Sequence, residues 1–512
     1  MPQDFDAIII GSGMGGLTAA AFMAKGGMRP LVLEQHFAPG GNAQTFRRKR
    51  MFDFDVGLHY IGDCGPGGLF PTMMKQLDIA GRVEFVPMDQ DGFDTYLAPG
   101  LKFRAPAGWE RYQQRLDETF PQERQGIARY IDTLRSVAGV FGGRTGRGQP
   151  TTELVGKHWS QCTLGEVFDA LELSDPLRHV LAGQCGNYAA PPSRAALGMH
   201  AMMTEHYMRG AYFIRGGARP LVEGLTNVIE DGGGELRLRQ RVKRIIVEND
   251  KAIGVQTTKG EEIRAPLVVS NADAKRTFLE MVGEQHLGRA LVERVQTYRM
   301  ALPLFVIYLA MEVDPSELGY PATNLALLPA YNMEEQYAAC YEGRIPDRPA
   351  VFMSIASLKD PVSLNLAPRG YTNLQVMTMV PAELSTWGVS QGPGSAPAKA
   401  GYRHGSDYEA AKHEMERRML SAVEEMLPGF IRNVVWQECA TPLTQERFTL
   451  STGGTSYGLE HSPDQYMTAR VALQTEVPGL WMVGANTIFG HGIAGAMMSG
   501  RAAAGAILHE AR

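Results

Sequence analysis

Three glycines near the start of the chain have the spacing of a loop that binds a dinucleotide. The sequence reads Gly11-Ser-Gly13-Met-Gly-Gly16, and the apolar segment 5–10 runs directly into it. The first glycine permits a tight turn, the second lets the backbone approach a pyrophosphate, and the third lets a helix pack against the strand. A helix beginning here would direct its free N–H groups and the positive end of its dipole at the phosphates.

An acidic residue follows at the position that such a loop requires. The apolar segment 31–33 ends in Glu34, about 20 residues beyond the glycines. A carboxylate there can accept hydrogen bonds from the hydroxyl groups of an adenosine ribose. Because strand, loop, helix, second strand and acid occur in this order, we predict dinucleotide binding rather than an ordinary glycine-rich turn.

The elements that must position this loop are spread along the whole chain. A chain of 512 residues can bury several cores, and two domains are the natural expectation. We predict an α/β fold, with a Rossmann-like three-layer domain built on a mostly parallel sheet. Residues 1–65, 214–285 and 441–512 form this domain. An interleaved mixed α+β substrate domain takes residues 66–213 and 286–440.

Hydrophobic periodicity and turn residues predict the individual elements. The predicted helices are 109–120, 127–140, 220–231, 408–426 and about 492–508. The predicted strands include 241–247, 267–271, 302–311, 374–380 and 479–484, with a hairpin of 252–257 and 262–264 that turns at Lys259-Gly260. Segments 142–148 and 391–402 are rich in glycine or proline and are predicted to be surface loops.

Composition excludes several classes of function. The net charge is −5 and the chain has no long basic run, so we expect no nucleic-acid partner. The short cluster Arg47–Arg50 is interpreted as a solvated hairpin tip, or less favourably as a contact for the dinucleotide phosphates or an acidic membrane surface. Five cysteines without a C-x-x-C pair argue against disulfides and against a zinc or iron–sulfur site. We expect no catalytic metal.

The sequence also sets expectations for the compartment. Residue 5 already enters a strand, which leaves no room for a signal peptide. The chain has no run of about 18 uninterrupted apolar residues. We therefore expect a cytoplasmic protein, which could also contact a membrane peripherally.

Local motifs over most of the chain resemble the phytoene desaturase-related FAD-dependent oxidoreductases, and most of all their retinol saturase and carotenoid isomerase branch. The matching segments are 11–20, 33–36, 55–62, 212–217, 269–272, 484–487 and 490–495. Segment Leu58-His59-Tyr60-Ile-Gly62 resembles retinol saturases more than desaturases. One departure is Asn486, where many relatives carry an acidic residue.

The resemblance implies FAD as the cofactor and assigns residues to it. In this superfamily a double glycine lies along the pyrophosphate and a D-x-G segment passes near the flavin. The implied cofactor-binding residues are Gly11, Ser12, Gly13, Gly15, Gly16, Glu34, Gln35, His36, Gly40, Gly41, Asn42, Asp55, Gly57, Val242, Asn271, Gly484, Asn486, Ile493 and Ala494.

Candidate proton donors stand beside the segments expected near the flavin. His59 and Tyr60 follow the D-x-G segment, Glu205 and His206 precede the strand that returns to the first domain, and His491 lies in the C-terminal flavin loop. Histidine is the usual proton carrier at physiological pH, and His59 is the favoured donor. Methionines 73, 74, 199, 202, 203 and 208 are flexible apolar residues that could line a substrate tunnel.

The resemblance implies an FAD-dependent oxidoreductase acting on carbon–carbon double bonds of a long apolar polyene of the retinoid or carotenoid type. Saturation by hydride transfer is the preferred reaction. Three alternatives remain: a cis–trans isomerase of a carotenoid or unsaturated fatty acid, a desaturase, and a non-enzymatic prenyl or lipid binder of the same fold. The chain has no second G-x-G-x-x-G for a nicotinamide cofactor, so oxygen, a quinone or a partner protein could exchange electrons with the flavin.

Overall fold

The computed structural model describes residues 5–141, 150–389, 402 and 405–511. Its helices are α1 (Met14–Lys25), α2 (Leu69–Gln76), α3 (Trp109–Thr119), α4 (Arg124–Phe141), α5 (Pro150–Val155), α6 (Leu164–Ala170), α7 (Asp175–Leu181), α8 (Leu197–Met208), α9 (Arg219–Asp231), α10 (Arg289–Thr297), α11 (Met333–Tyr341), α12 (Ala356–Lys359), α13 (Ser406–Met426), α14 (Pro442–Thr449) and α15 (Gly492–Glu510).

The strands of the described residues fall into five sheets. In chain order they are β1 (Ala7–Ile10), β2 (Pro30–Leu33), β3 (Thr45–Arg48), β4 (Phe52–Asp55), β5 (Ile61–Gly62), β6 (Phe85–Pro87), β7 (Asp94–Ala98), β8 (Leu101–Ala105), β9 (Ala211–Ile214), β10 (Glu235–Arg237), β11 (Val242–Glu248), β12 (Lys251–Thr257), β13 (Glu262–Arg264), β14 (Leu267–Ser270), β15 (Leu304–Met311), β16 (Asn324–Leu327), β17 (Val351–Ile355), β18 (Thr372–Met379), β19 (Val434–Ala440) and β20 (Leu480–Met482).

A five-stranded parallel sheet of order β10-β2-β1-β14-β20 organises the N-terminal motif. Strands β1, β2, β14 and β20 are almost wholly buried on both faces, as expected for continuous apolar runs in a parallel sheet. Side chains alternate along β1, so Ala7 and Ile9 pack against helices α1, α9 and α15, while Ile8 and Ile10 pack against the antiparallel sheet β11-β12-β13. The result is the predicted three-layer Rossmann-like arrangement.

A seven-stranded mixed sheet forms the second large unit, in the order β19-β15-β18-β17-β16-β7-β8. Adjacent strands in this sheet are antiparallel, except that β16 and β7 are parallel to each other. One face buries apolar side chains such as Ile307 and Val376 under α13. Its other face carries Val306 and Tyr308 towards the β3–β4 hairpin.

The predicted helices and strands are present, with ends that differ by a few residues. Lys259-Gly260 lies at the turn between β12 and β13 as expected. In the cluster 47–50, Arg47 and Arg48 end strand β3 and form ion pairs with Asp53 and Glu438, while Lys49 and Arg50 form the hairpin tip with positive φ. Segments 142–148 and 391–401, predicted to be loops, lie outside the described residues.

The strands of the two largest sheets come from alternating parts of the chain. The parallel sheet draws its strands from 1–65, 214–285 and 441–512, and the seven-stranded sheet draws its strands from 66–213 and 286–440. The exact domain boundaries stay a prediction, because the small sheet β5-β9-β6 joins strands from both sides of them. None of the helices in the described ranges is long and apolar enough to span a bilayer.

Candidate functional site

A cavity of about 1010 Å³ lies where the parallel sheet meets the rest of the molecule. Ile10 and Leu33, the last residues of β1 and β2, line it together with Asn271 and Gly484, which follow β14 and β20. These positions are the carboxyl ends of parallel strands, where open α/β sheets bind their ligands. The fold therefore brings the N-terminal and C-terminal motifs to one place.

The glycine loop forms a close-fitting cradle at this end of the cavity. Gly11 has φ +89°, and its N–H donates to the carbonyl oxygen of Leu33 at 2.9 Å. A Cβ atom on Gly13 would lie 2.5 Å from the amide nitrogen of Asn271. Gly13 directly precedes α1, whose first-turn N–H groups lack helical acceptors and attract anions. The arrangement fits a pyrophosphate.

Glu34 is held in a fixed orientation in the cavity wall. One carboxylate oxygen accepts hydrogen bonds from the backbone N–H and the hydroxyl of Ser12, at 2.8 and 2.7 Å, and the other accepts from the N–H of His36 at 2.7 Å. The His36 ring packs edge-on against Phe448, and its buried Nε2 has no hydrogen-bond partner among the described residues. This end of the cavity fits an adenosine with its ribose hydroxyls at Glu34.

Most of the residues predicted to bind the cofactor line this cavity. They are Gly11, Gly13, Glu34, Gln35, His36, Gly40, Gly41, Asn42, Gly57, Val242, Asn271, Gly484, Asn486, Ile493 and Ala494. Their contacts with FAD stay a prediction, but the structure places them together.

Four predicted cofactor residues lie behind the wall and shape it instead. Ser12 orients Glu34, and a Cβ on Gly15 would lie 2.8 Å from the backbone nitrogen of Gly484. A Cβ on Gly16 would collide with the carbonyl oxygen of Gly11. Buried Asp55 accepts hydrogen bonds from Thr45 Oγ1 and the Ala218 N–H, and burial raises its pKa to about 6.

Glu205 and His206, predicted as catalytic, line the cavity but also join elements together. Glu205 accepts hydrogen bonds from Trp109 Nε1 at 2.7 Å and from Arg209 Nε at 2.8 Å. The Nε2 atom of His206 accepts from the Gly62 N–H at 2.8 Å, and burial lowers the pKa of this histidine to about 4. These contacts anchor α8 to α3 and β5.

Tyr60 lines the cavity and has its hydroxyl committed to neighbouring side chains. It donates to Asp94 Oδ2 at 3.0 Å and accepts from Asn187 Nδ2 at 2.8 Å. Its ring stacks on Tyr207 with 4.3 Å between centroids. Burial and the nearby Asp94 carboxylate raise its pKa well above the usual value, so the phenol stays protonated.

His59 lies in the cavity wall as a neutral imidazole. Burial, with a smaller contribution from the charge of Lys359, lowers its pKa to about 3. Its Nδ1 atom is buried and has no partner in the described part of the chain. The imidazolium form that would act as a strong acid is therefore scarce at neutral pH, and His59 offers a hydrogen bond instead.

Lys359 is a buried neighbour of His59 that sequence reasoning missed. Its Nζ atom donates to the carbonyl oxygen of His59 at 2.6 Å and to Ser354 Oγ at 2.7 Å. Burial lowers its pKa to about 7. The only sequence signal that could have pointed to Lys359 was its position four residues after the apolar strand β17.

A pair of buried histidines also lines the cavity, and sequence reasoning found only one of them. His491 Nδ1 and His461 Nε2 are 2.7 Å apart, and His491 Nε2 is 2.6 Å from the carbonyl oxygen of Asn187. Both nitrogens of His491 are thus engaged, which argues against it as a proton donor. No sequence motif links positions 461 and 491, since their contact arises only from the fold.

The remaining wall of the cavity is largely apolar. Met199, Met202 and Met203 of α8 line it, together with Leu304 and Val306 of β15. Met73, Met74 and Met208, which were expected to line a tunnel, lie instead in buried cores because their helices turn these side chains away from the cavity. In the described ranges no group of three histidine, cysteine or acidic residues is placed to hold a metal ion.

Comparison with known proteins places this geometry in a family. Residues 14–324 match the family of flavin containing amine oxidoreductases. All-trans-retinol 13,14-reductase of Macaca fascicularis is 28% identical over 99% of this chain and 86% of its own length. Prolycopene isomerase of Daucus carota is 24% identical over 97% of this chain and 79% of its own.

The fold is also similar to the folds of solved oxidoreductase structures. An oxidoreductase from Methanosarcina mazei superposes with a TM-score of 0.66 at 19% identity, covering 97% of this chain and 99% of the other. The resemblance to the retinol saturase and carotenoid isomerase branch is confirmed by these matches. With its dinucleotide cradle, the chain belongs to the flavin containing amine oxidoreductase family, and its cofactor is FAD.

Proposed function

We propose that this chain transfers a hydride between FAD and a carbon–carbon double bond of a long apolar polyene, with saturation as the favoured direction. The observation that carries the proposal is the continuity of the cavity. One end has the glycine cradle and Glu34, and the same space extends to a wall of Met199, Met202, Met203, Leu304 and Val306. A polyene can thus lie against this apolar wall within the same cavity as the flavin.

The relatives support this substrate class. A chain-length match at 28% identity connects the protein with an enzyme named for reduction of the 13,14 bond of all-trans-retinol. The match to prolycopene isomerase is weaker, at 24% identity, and supports cis–trans isomerisation as the second candidate. The intact cradle and Glu34 argue against a non-enzymatic lipid binder.

Reduced FAD supplies the hydride when it is bound. The chain itself must exclude bulk water, orient the double bond and relay a proton, drawn from solvent, to the second carbon. Met199 and Leu304 provide a dry wall. His59 is the proposed contact at the reacting bond, because it is neutral, lines the cavity and is fixed through its carbonyl by Lys359.

The experiment is stopped-flow reoxidation of the anaerobically reduced holoenzyme by all-trans-retinol. We expect reoxidation by the polyene, and a rate about a hundredfold lower in His59→Gln, because glutamine cannot relay a proton as a neutral imidazole can. His286→Gln replaces an exposed histidine and should react like the wild type. A reduced flavin that polyenes leave unchanged would refute the proposal.

We also propose peripheral contact with lipid, where an apolar substrate resides. Support comes from the β3–β4 hairpin tip, where Lys49 and Arg50 are exposed next to Met51, itself 41% exposed. Basic residues beside an apolar side chain favour an anionic bilayer surface. The variant Lys49→Glu with Arg50→Glu should sediment less with anionic vesicles, whereas equal sedimentation would contradict this. A cytoplasmic location stays a prediction.

A further inference from the structure

His206 is a polar residue on the apolar face that helix α8 presents to the cavity. Met199, Met202, Met203 and His206 follow the spacing i, i+3, i+4 and i+7, which places them on one side of a helix. All four line the cavity, and residues 202, 203 and 206 are partly exposed. A molecule that lies along the methionines can therefore reach the imidazole of His206.

The proton of His206 has a fixed position on the ring. Burial, with a smaller contribution from the charge of Arg209, lowers the pKa of His206 to about 4, so the imidazole is neutral near pH 7. Its Nε2 atom lies 2.8 Å from the backbone nitrogen of Gly62, and because a backbone N–H only donates, Nε2 is the acceptor. A neutral imidazole carries one N–H and one acceptor nitrogen. The proton of His206 therefore resides on Nδ1.

This Nδ1–H group is a donor without a partner in the part of the chain that the structure describes. The Nδ1 atoms of His59 and His461 are also unpaired, but those two atoms are buried, whereas Nδ1 of His206 is not. The ring is held close to Gly62, since a Cβ atom there would lie 2.6 Å from Cδ2 of His206. A molecule in the cavity can therefore reach a donor whose position and tautomer are both fixed.

The charges beside this donor favour a neutral oxygen over a carboxylate. Glu205 precedes His206 and Asp63 follows Gly62, and both acidic residues line the cavity. They share the guanidinium of Arg209, whose Nε lies 2.8 Å from Glu205 Oε1 and whose Nη1 lies 3.7 Å from Asp63 Oδ2. Two carboxylates and one cation leave a local negative charge, which repels an anionic ligand. A hydroxyl oxygen does not suffer this repulsion.

We propose that His206 is a specificity-determining residue whose Nδ1–H donates a hydrogen bond to a neutral oxygen of the molecule in the cavity. Gly62 acts as a positioning residue, since its N–H fixes the tautomer of His206. The inference rests on the proposed function in naming the favoured acceptor, the hydroxyl oxygen at the end of a polyene alcohol. A carbonyl oxygen of the flavin is the other source of the same chemistry.

The test compares two polyenes of nearly equal shape, all-trans-retinol and the hydrocarbon in which a methyl group replaces its hydroxyl. Their dissociation constants are obtained from the perturbation of flavin absorbance in the oxidised holoenzyme. The readout is the ratio of the two constants, compared between the wild type and His206→Leu. Effects of the substitution that both ligands share, including loss of the Gly62 contact, cancel in this double comparison.

Three variants isolate the contribution of the donor. In His206→Leu the preference for the alcohol relative to the hydrocarbon should fall about tenfold, the usual effect of one lost hydrogen bond. His206→Gln offers both an acceptor for the Gly62 N–H and an N–H donor, so it should restore most of the preference. His286→Leu replaces an exposed histidine and should keep the wild-type ratio. FAD affinity is measured in parallel for each protein.

The wild type provides a comparison that needs no variant. A purely apolar wall would discriminate between the two polyenes as an alkane does, so their binding ratio would follow their partition between water and an alkane. A donor at His206 should favour the alcohol by about tenfold more than this partition. Binding that follows the alkane ratio would overturn the assignment to the substrate, whether or not His206→Leu folds.

The outcomes distinguish the two acceptor sources. A preference that falls in His206→Leu and returns in His206→Gln supports the substrate hydroxyl. An unchanged preference, with FAD affinity reduced about tenfold in His206→Leu and restored in His206→Gln, supports a flavin oxygen. An unchanged preference with unchanged FAD affinity, or a loss that glutamine does not restore, overturns the inference and leaves the proposed function intact. Binding of neither polyene overturns the proposed function, and the FAD measurement then decides the role of His206.

Discussion

At the scale of single residues, burial rather than residue type decides what the polar groups of the cavity can do. His59 was expected to be a proton carrier because free histidine titrates near neutral pH. Its environment lowers that pKa to about 3. Lys359, which the sequence did not single out, is instead the group with a pKa of about 7. Burial depends on the fold, so neither property could be predicted from the sequence.

Replacing the carboxylate of Glu34 should weaken FAD binding. Glu34→Gln keeps the size of the side chain but loses the charge that strengthens its hydrogen bonds to ribose hydroxyls. Hydrogen bonds to charged groups contribute about 1.5–3 kcal/mol, so the Kd for FAD should rise by about tenfold to a hundredfold. The Kd is measured by titrating the apoprotein with FAD while the flavin fluorescence is recorded. Exposed Glu230→Gln is the control, and an unchanged Kd for Glu34→Gln would exclude the ribose contact.

Lys359 should make the stability of the protein depend on alkaline pH. Its pKa falls from 10.5 to about 7 on burial, so between these values the unfolded chain holds the proton and the folded protein has released it. The free energy of unfolding of the wild type should therefore rise with pH in this interval, because the unfolded state binds more protons. The penalty for burying the charge is fully present below about pH 7.

The variant Lys359→Met removes this pH dependence. The free energy of unfolding of the variant minus that of the wild type should decrease between about pH 7 and 10 by up to a few kcal/mol, since each pKa unit corresponds to about 1.4 kcal/mol. Urea denaturation across this range provides the measurement. Exposed Lys75→Met serves as the control. A difference that is constant with pH would show that Lys359 stays charged in the folded protein.

At the scale of elements, the packing of α1 against α15 holds the glycine loop in place. A Cβ on Gly500 of α15 would collide with the carbonyl oxygen of Gly15, while one on Gly505 would meet no atom within 4 Å. The helix of small residues, predicted from the sequence, therefore has a buried face on which position 500 has no room for even a methyl group. That face lies against the helix that begins at the phosphate cradle.

Two alanine substitutions in α15 should have opposite effects. Gly500→Ala overfills the contact with α1 and should destabilise the protein by about 1–3 kcal/mol. Gly505→Ala, on the exposed side of the same helix, should stabilise it by about 0.5–1 kcal/mol through reduced backbone entropy of the unfolded chain. Thermal and urea unfolding of both variants checks this. Equal effects of the two would mean that the helix contact is not close.

The sequence predicts elements better than it predicts their partners. Periodicity indicated α4, α9 and α13 and the apolar strands β15 and β18, because each pattern lies within one element. The pairing of β7 with β16 joins residues 94–97 to 324–327. Such long-range register leaves no local pattern to read. Strand β10, three residues of intermediate burial at the sheet edge, was also missed.

At the scale of the whole molecule, two sheets from interleaved segments enclose one cavity with two kinds of wall. The cofactor end could be predicted because its glycines and Glu34 lie close together in sequence and have fixed physical roles. The substrate end could not, because Met203, Val306 and His461 come from distant segments and meet only in the fold. Such a cavity, polar at one end and apolar at the other, is what flavin chemistry on an apolar molecule requires.

The mass of the product tests the central claim most directly. The FAD-loaded protein is reduced anaerobically, mixed with all-trans-retinol and analysed by mass spectrometry. Saturation predicts a product with two more hydrogen atoms, one from the flavin hydride and one from a proton, together with oxidised flavin. Isomers of unchanged mass would contradict saturation and establish the isomerase. Unaltered retinol beside a flavin that stays reduced would contradict action on polyenes altogether.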